Sequence, residues 1–120
     1  TKMNAKSSLL GLVCVGTAAP ALALFCGFPK AVTDGLGVPY SRWISSPEAK
    51  FGLYMYTISD IVLATFCGAA LHGDVSKEAA LVATSVHQLS YLAAAIPSMG
   101  FRKEHIASII MAAVAGMLAM

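Results

Sequence analysis

The sequence predicts an all-α polytopic membrane protein, a single bundle of four transmembrane helices occupying residues 1–120. Three observations carry that prediction. The chain is 58% hydrophobic and 12% charged, with a mean hydropathy of +0.74, whereas about a quarter of the residues of a soluble globular protein are charged. Long uncharged runs recur, the clearest being Phe51–Leu71, 21 residues with one formal charge, Asp60, near the middle. Proline, glycine and charged residues gather between those runs. A net charge of +2 with scattered basic residues excludes nucleic acid as a partner. Cys14, Cys26 and Cys67 lie in or at the ends of apolar runs without CxxC spacing, so they read as small buried hydrophobes rather than a disulfide framework.

The first helix is predicted over residues 8–27. Ser7-Ser8 offers the N-cap, Pro20 stands mid-segment, and Gly27 and Pro29 close it. Pro20 removes one backbone donor and is expected to kink the helix, with neighbouring helices or Thr17 satisfying the freed carbonyl. Lys2 and Lys6 before an apolar run containing Ala18-Ala19-Pro20-Ala21 have the look of a signal peptide. The 23 uncharged residues from Ser7 to Pro29 exceed a signal-peptide core, so a retained helix is expected, and the Thr1 start hints at processing or trimming.

Residues 28–50 read as an extramembrane loop, with Tyr40 and Trp43 as interfacial anchors. Ser46-Pro47-Glu48 supplies an N-cap, a proline at the first helical position and an acid in the first turn, so the second helix is predicted over 48–71, ended by His72-Gly73-Asp74. Ser76-Lys77-Glu78 starts a third helix over 77–96, stopped by Pro97 and Gly100. A fourth runs over 104–120. Lys30, Arg42, Lys50, Arg102 and Lys103 lie on the loop side, against Lys2, Lys6 and Lys77 on the terminal side, which assigns the loops to the cytoplasmic or equivalent face.

A carboxylate near a bilayer midplane must face protein, pair or take up a proton. The tight link between helices two and three makes them antiparallel neighbours, so Asp60 and His87 share a depth. Tyr56 and Thr57 share a helix face with Asp60, and Thr84, Ser90 and Tyr91 share one with His87. This polar seam of Asp60, Tyr56, Thr84 and Tyr91 has two readings: a hydrogen bond from Asp60 to His87 or Tyr91 that fixes bundle packing, or a proton relay or ligand site. His87, His72 and His105 are candidate ligands for the magnesium of a chlorophyll, His87 from inside the bundle and the other two at opposite membrane faces. A histidine hydrogen-bonded in the core, or at the surface for His72 and His105, is the alternative. Their spacing supports no shared metal site. Ala64 with Gly68, and Ala112 with Gly116, are small-residue pairs suited to close helix packing or to docking flat cofactors. No catalytic motif is present, so no catalytic residue is assigned and no enzyme is expected.

The Gly11 and Gly16 spacing, Pro20 before the Leu24-Phe25 run, Gly27-Phe28-Pro29, the glycine-containing loop, and Glu48-Ala49-Lys50 leading into FGLYMYTISDIVLA together resemble the small four-helix membrane proteins called DoxX-like. That resemblance implies a stand-alone protein with a redox, quinone or small-solute role at Asp60 and His87. In size and composition the chain also resembles the small alanine-rich accessory subunits of algal photosystem I. This second resemblance implies an accessory or structural subunit of a membrane-embedded photosynthetic complex in the plastid thylakoid, packed against other membrane subunits, lipids, chlorophyll and carotenoid. The second is the leading expectation from sequence, and the first is its alternative.

Overall fold

A computed structural model describes residues 4–120. Lys2, counted above on the terminal side, and the Thr1 start lie outside the described residues. The described chain is all-helical, without a strand: α1 (Ala5–Phe25), α2 (Lys30–Leu36), α3 (Tyr40–Trp43), α4 (Pro47–His72), α5 (Lys77–Met99) and α6 (His105–Ala119). Three of these, α1, α4 and α5, are long and apolar enough to cross a membrane, and α6 is a shorter apolar helix.

Capping chemistry sets most boundaries. Asn4, rather than Ser7 or Ser8, caps α1: its Oδ1 accepts from the Ser7 backbone N–H at 2.9 Å, so the helix begins three residues before the sequence expectation. Ser7 turns inward and is buried instead. Ser46 and Ser76 cap α4 and α5 by accepting from the backbone N–H of Ala49 and Ala79. Gly73, at φ +102°, ends α4 in the left-handed region, and Asp74 N–H donates back to the Ala69 carbonyl at 2.9 Å.

Two helix expectations change. α5 does not stop at Pro97 but runs through it to Met99. Ser98 Oγ donates to the Ala94 carbonyl and Gly100 N–H to the Ile96 carbonyl, so the last turn closes around a proline whose missing N–H spares only one bond. In α1, Thr17 Oγ1 donates to the Val13 carbonyl at 2.7 Å. It therefore leaves untouched the Gly16 carbonyl, the one that Pro20 deprives of its intrahelical donor.

The loop between α1 and α4 also carries structure that the sequence reading missed, namely α2 and α3. Trp43 Nε1 donates to the Val38 carbonyl, and Arg102 Nη1, from the α5–α6 link, donates to the Gly37 carbonyl at 3.0 Å. Gly37 is required by its φ of +73°; a Cβ there would also meet the Glu104 carboxyl group at 2.8 Å, the mobile end of a side chain that can swing aside.

The short axis of the molecule is 18 Å, room for about two helices of roughly 10 Å diameter. α1 packs closely along α4 and α5 along α6, while α4 and α5 touch more sparsely. The small-residue pairs serve those close contacts. Gly68 faces Cys14 of α1, and Gly116 faces Ser85 of α5, whose hydroxyl donates to the Ala112 carbonyl at 2.9 Å. A buried apolar cluster of Leu10, Val13, Leu63, Cys67, Leu81 and Ala115 fills the terminal end. Lys6 Nζ donates to Glu78 Oε1 at 2.9 Å across that end. A second cluster, Leu24, Val32, Leu36 and Leu53 with Tyr54 and Trp43, fills the loop end.

The distribution of polarity is inverted relative to a soluble bundle. Thr57, Asp60, Thr84, Gln88 and His105 are buried, whereas Phe51, Met55, Ile58 and Val62 form an exposed stripe on α4 and Val82, Val86 and Leu89 another on α5. A helix in water turns its apolar stripe inward. Outward apolar stripes over a polar interior are compatible with a membrane protein.

Candidate functional site

Between the two apolar clusters lies a polar layer at mid-depth, built where α4 and α5 separate. Asp60 is 8% exposed, and its Oδ1 lies 3.2 Å from His87 Nε2, without meeting hydrogen-bond geometry. The same nitrogen is 3.1 Å from Ser59 Oγ. Ser59 commits its only proton to the Tyr56 carbonyl at 2.6 Å, so toward His87 it can only accept. Nε2 therefore carries a hydrogen, donated to Ser59 Oγ, with Asp60 Oδ1 close by. In the neutral ring Nδ1 is then the bare nitrogen, and it is buried without a partner.

This arrangement bears on two functional readings of the layer. In a Ser-His-Asp triad the serine and the acid occupy opposite ring nitrogens, and the histidine takes the serine proton. Here both sit at Nε2 and the serine proton points elsewhere, so the set cannot activate Ser59 as a nucleophile. For a pigment, His87 offers no open nitrogen in this conformation, since Nε2 is engaged and Nδ1 is covered.

Rings extend the layer toward the loop end. Tyr56 packs on Tyr91 with centroids 5.2 Å apart and on His87 at 5.8 Å. Tyr91 meets His105 edge-on at 5.8 Å, and His105 meets Phe101 at 5.9 Å. His105 corrects the sequence expectation of a surface or interface residue: it is 0% exposed. Its Nδ1 accepts from the Arg102 backbone N–H at 3.0 Å, which holds the start of α6 in place of a side-chain N-cap. Its Nε2 is buried and unpartnered.

The remaining candidates fall elsewhere. Thr84 is not joined to Asp60; its hydroxyl donates to the Ala80 carbonyl and lies 3.6 Å from Cys67 Sγ, nearer the terminal end. His72 is exposed at the end of α4, with Nδ1 3.1 Å from Asp74 Oδ2. No group of three or more metal-binding side chains occurs among the described residues.

Two cavities flank the layer. The larger, about 850 Å³, opens at the loop end between α4 and α5. Tyr56, Ser59, His87 and Tyr91 line its deep part, and Trp43, Arg42 and Arg102 its outer part. The smaller, about 400 Å³, lies against α1 and α6 and is lined by Asp60 and Gln88 together with Gly16 and Pro20. Tyr56 and Tyr91 border both. The tyrosines are thus the wall, and the Asp60–His87 approach joins one chamber to the other.

Sequence reasoning missed Ser59 and Gln88 as members of the layer, and it weighed Arg42 and Arg102 only as topology signals. One signal was available. Ser59-Asp60 and His87-Gln88 are adjacent polar pairs at matching depths on neighbouring helices, a denser polar patch than either ionisable residue alone. No family model matches the chain, and no curated protein and no solved structure matches it.

Proposed function

We propose that this chain is a four-helix membrane bundle of the DoxX-like kind that binds a small organic molecule, of the redox, quinone or small-solute class, in the chamber beside Asp60 and His87. The observation that supports this reading best is the larger cavity itself. Its volume of about 850 Å³ falls in the range of roughly 300–1,000 Å³ typical of small-molecule sites, which combine apolar walls with a few convergent polar groups. His87 lines the deep end of that chamber, with Asp60 3.2 Å behind its Nε2.

α6 is the fourth span in this account. Its 15 residues cover about 22 Å at 1.5 Å per residue, short of a hydrocarbon core of about 30 Å, and a local thinning of the bilayer accommodates the difference at modest cost. Four spans put the α1–α4 loop and the α5–α6 link on one side, opposite the α4–α5 turn. Single cysteines introduced at Asp34 and Asp74 in a cysteine-free background are therefore expected to react with an impermeant thiol reagent from opposite faces. Reaction of both from the same face would contradict the topology.

A second reading, an accessory subunit of a photosystem I-like complex in the thylakoid, is favoured by one observation at His72. Asp74 engages its Nδ1 at 3.1 Å, the usual way a carboxylate orients a ligating imidazole, while Nε2 has no protein partner among the described residues. Chlorophyll, carotenoid and neighbouring membrane subunits would then pack on the exposed apolar stripes. One preparation separates the two readings. Material isolated from its native membrane should carry one near-stoichiometric small organic molecule by mass spectrometry and no pigment absorbance; chlorophyll bands with an empty chamber would favour the accessory subunit.

A further inference from the structure

We infer that the occupant of the larger chamber is a single-chain amphiphile with an oxyanion head, of the fatty-acid class, drawn from the bilayer and held head-outward by Arg42 and Arg102. The inference rests on the small-molecule reading above and adds the ligand's charge, polarity and orientation.

Charge complementarity sets the head. Arg42 and Arg102 line the same chamber, and no aspartate or glutamate lines it with them. Among the described residues neither arginine is within ion-pair distance of an acid, including Glu104, which sits against Gly37. Arg102 spends one donor on the Gly37 carbonyl, which fixes its position and leaves its remaining N–H groups free. Arg42 makes no side-chain hydrogen bond within the described chain. Guanidinium forks bind carboxylate and phosphate oxygens by paired, charge-assisted hydrogen bonds.

The walls set the rest of the molecule. The lining residues of α5 run from His87 to Met99, about 18 Å along the helix axis at 1.5 Å per residue. Leu36, Val38, Trp43, Ala94 and Ala95 make the apolar part of the wall, and Ser59, Ser90 and Ser98 add isolated hydroxyls to it. A free inorganic anion has no use for that apolar length. At the deep end, His87 Nδ1 and Tyr91 Oη are covered from solvent, so those rings meet an alkyl tail without exposing a lone pair or hydroxyl to it. Arg42 and Trp43 lie beside each other in α3, outside the spanning helices, where an ionised head stays at headgroup level while its tail descends.

Trp43 is the only tryptophan of the chain, so its emission reports occupancy directly. Protein reconstituted in zwitterionic nanodiscs is titrated with dodecanoate, at a pH that ionises it, and with dodecanol. The expected result is a saturable change in Trp43 emission with dodecanoate bound at least tenfold tighter than the alcohol. Arg42→Gln should erase most of that margin, and Lys103→Gln, a nearby loop cation that does not line the chamber, should preserve it. Equal, saturable binding of acid and alcohol would overturn the inference and leave the small-molecule reading standing. The same loss of margin in Lys103→Gln as in Arg42→Gln would also overturn it, by attributing selectivity to surface charge. No saturable response to either probe would overturn the inference and count against the chamber as well.

Discussion

Replacing His87 with phenylalanine is expected to destabilise the protein by about 2 kcal/mol, because it removes the donor to Ser59 and the polar group 3.2 Å from the buried Asp60 carboxyl. Phenylalanine keeps much of the ring volume against Tyr56 but deletes the Nε2–H that lies between Ser59 and Asp60. Among the described residues Asp60 has no lysine, arginine or second histidine within ion-pair distance. Asp60→Leu should cost less, about 1 kcal/mol, since Nε2–H keeps Ser59 as its acceptor, and Asp60→Asn should lie close to the native protein. The double variant His87→Phe/Asp60→Leu should recover most of the loss, which makes the pair strongly non-additive. Thermal midpoints in one detergent decide: single losses that simply add in the double variant would show that the two residues do not support each other.

The second large effect is expected at Ala94. Its side chain is exposed on α5 and lines the larger chamber, so Ala94→Phe fills the space a ligand needs without forcing a larger group into the packed core. Overpacking a close-packed interior costs stability; filling an open chamber does not. Ligand binding should fall by at least tenfold, equivalent to about 1.4 kcal/mol or more, while the thermal midpoint of the unliganded protein stays near that of the native chain. A variant that melts early would place Ala94 in a packed contact rather than at an open wall.

How much of this could be read from sequence varies by element, for physical reasons. Ser46-Pro47-Glu48, Gly73 and Ser76 are local signals whose hydrogen bonds close within four residues, so the ends they mark at α4 and α5 could be read directly. The shared depth of Asp60 and His87 follows from the tight turn between their helices. Ser7-Ser8 stands nearer the apolar run than Asn4, the residue that caps α1, and Pro97 carries the local signature of a helix breaker although α5 absorbs it in its final turn. Thr84 shares a face with His87 on a helical wheel, yet its partner is Cys67, because it sits nearly one turn closer to the α4–α5 link, at the depth of Cys67 rather than Asp60.

What the sequence could not express is the folding of the α1–α4 loop over the chamber. Arg102 and Gly37 are far apart in the chain, and their hydrogen bond has no local signature. The same holds for His105. Its burial depends on Tyr91 and Phe101 closing on both sides, so a histidine that reads as a boundary residue becomes part of the ring layer. Ser59 and Gln88 adjoin the two ionisable residues but carry no distinctive sequence pattern of their own, though the direction of the Ser59 hydroxyl is what decides the His87 tautomer.

If the space between α4 and α5 holds a ligand, Trp43 emission should distinguish the native chain from Ala94→Phe. Dodecanoate titrated into each, in identical nanodiscs, should produce a saturable change in the native protein and only the small linear drift of bilayer partitioning in the variant. Equal saturable responses in both, or none in either, would contradict the account.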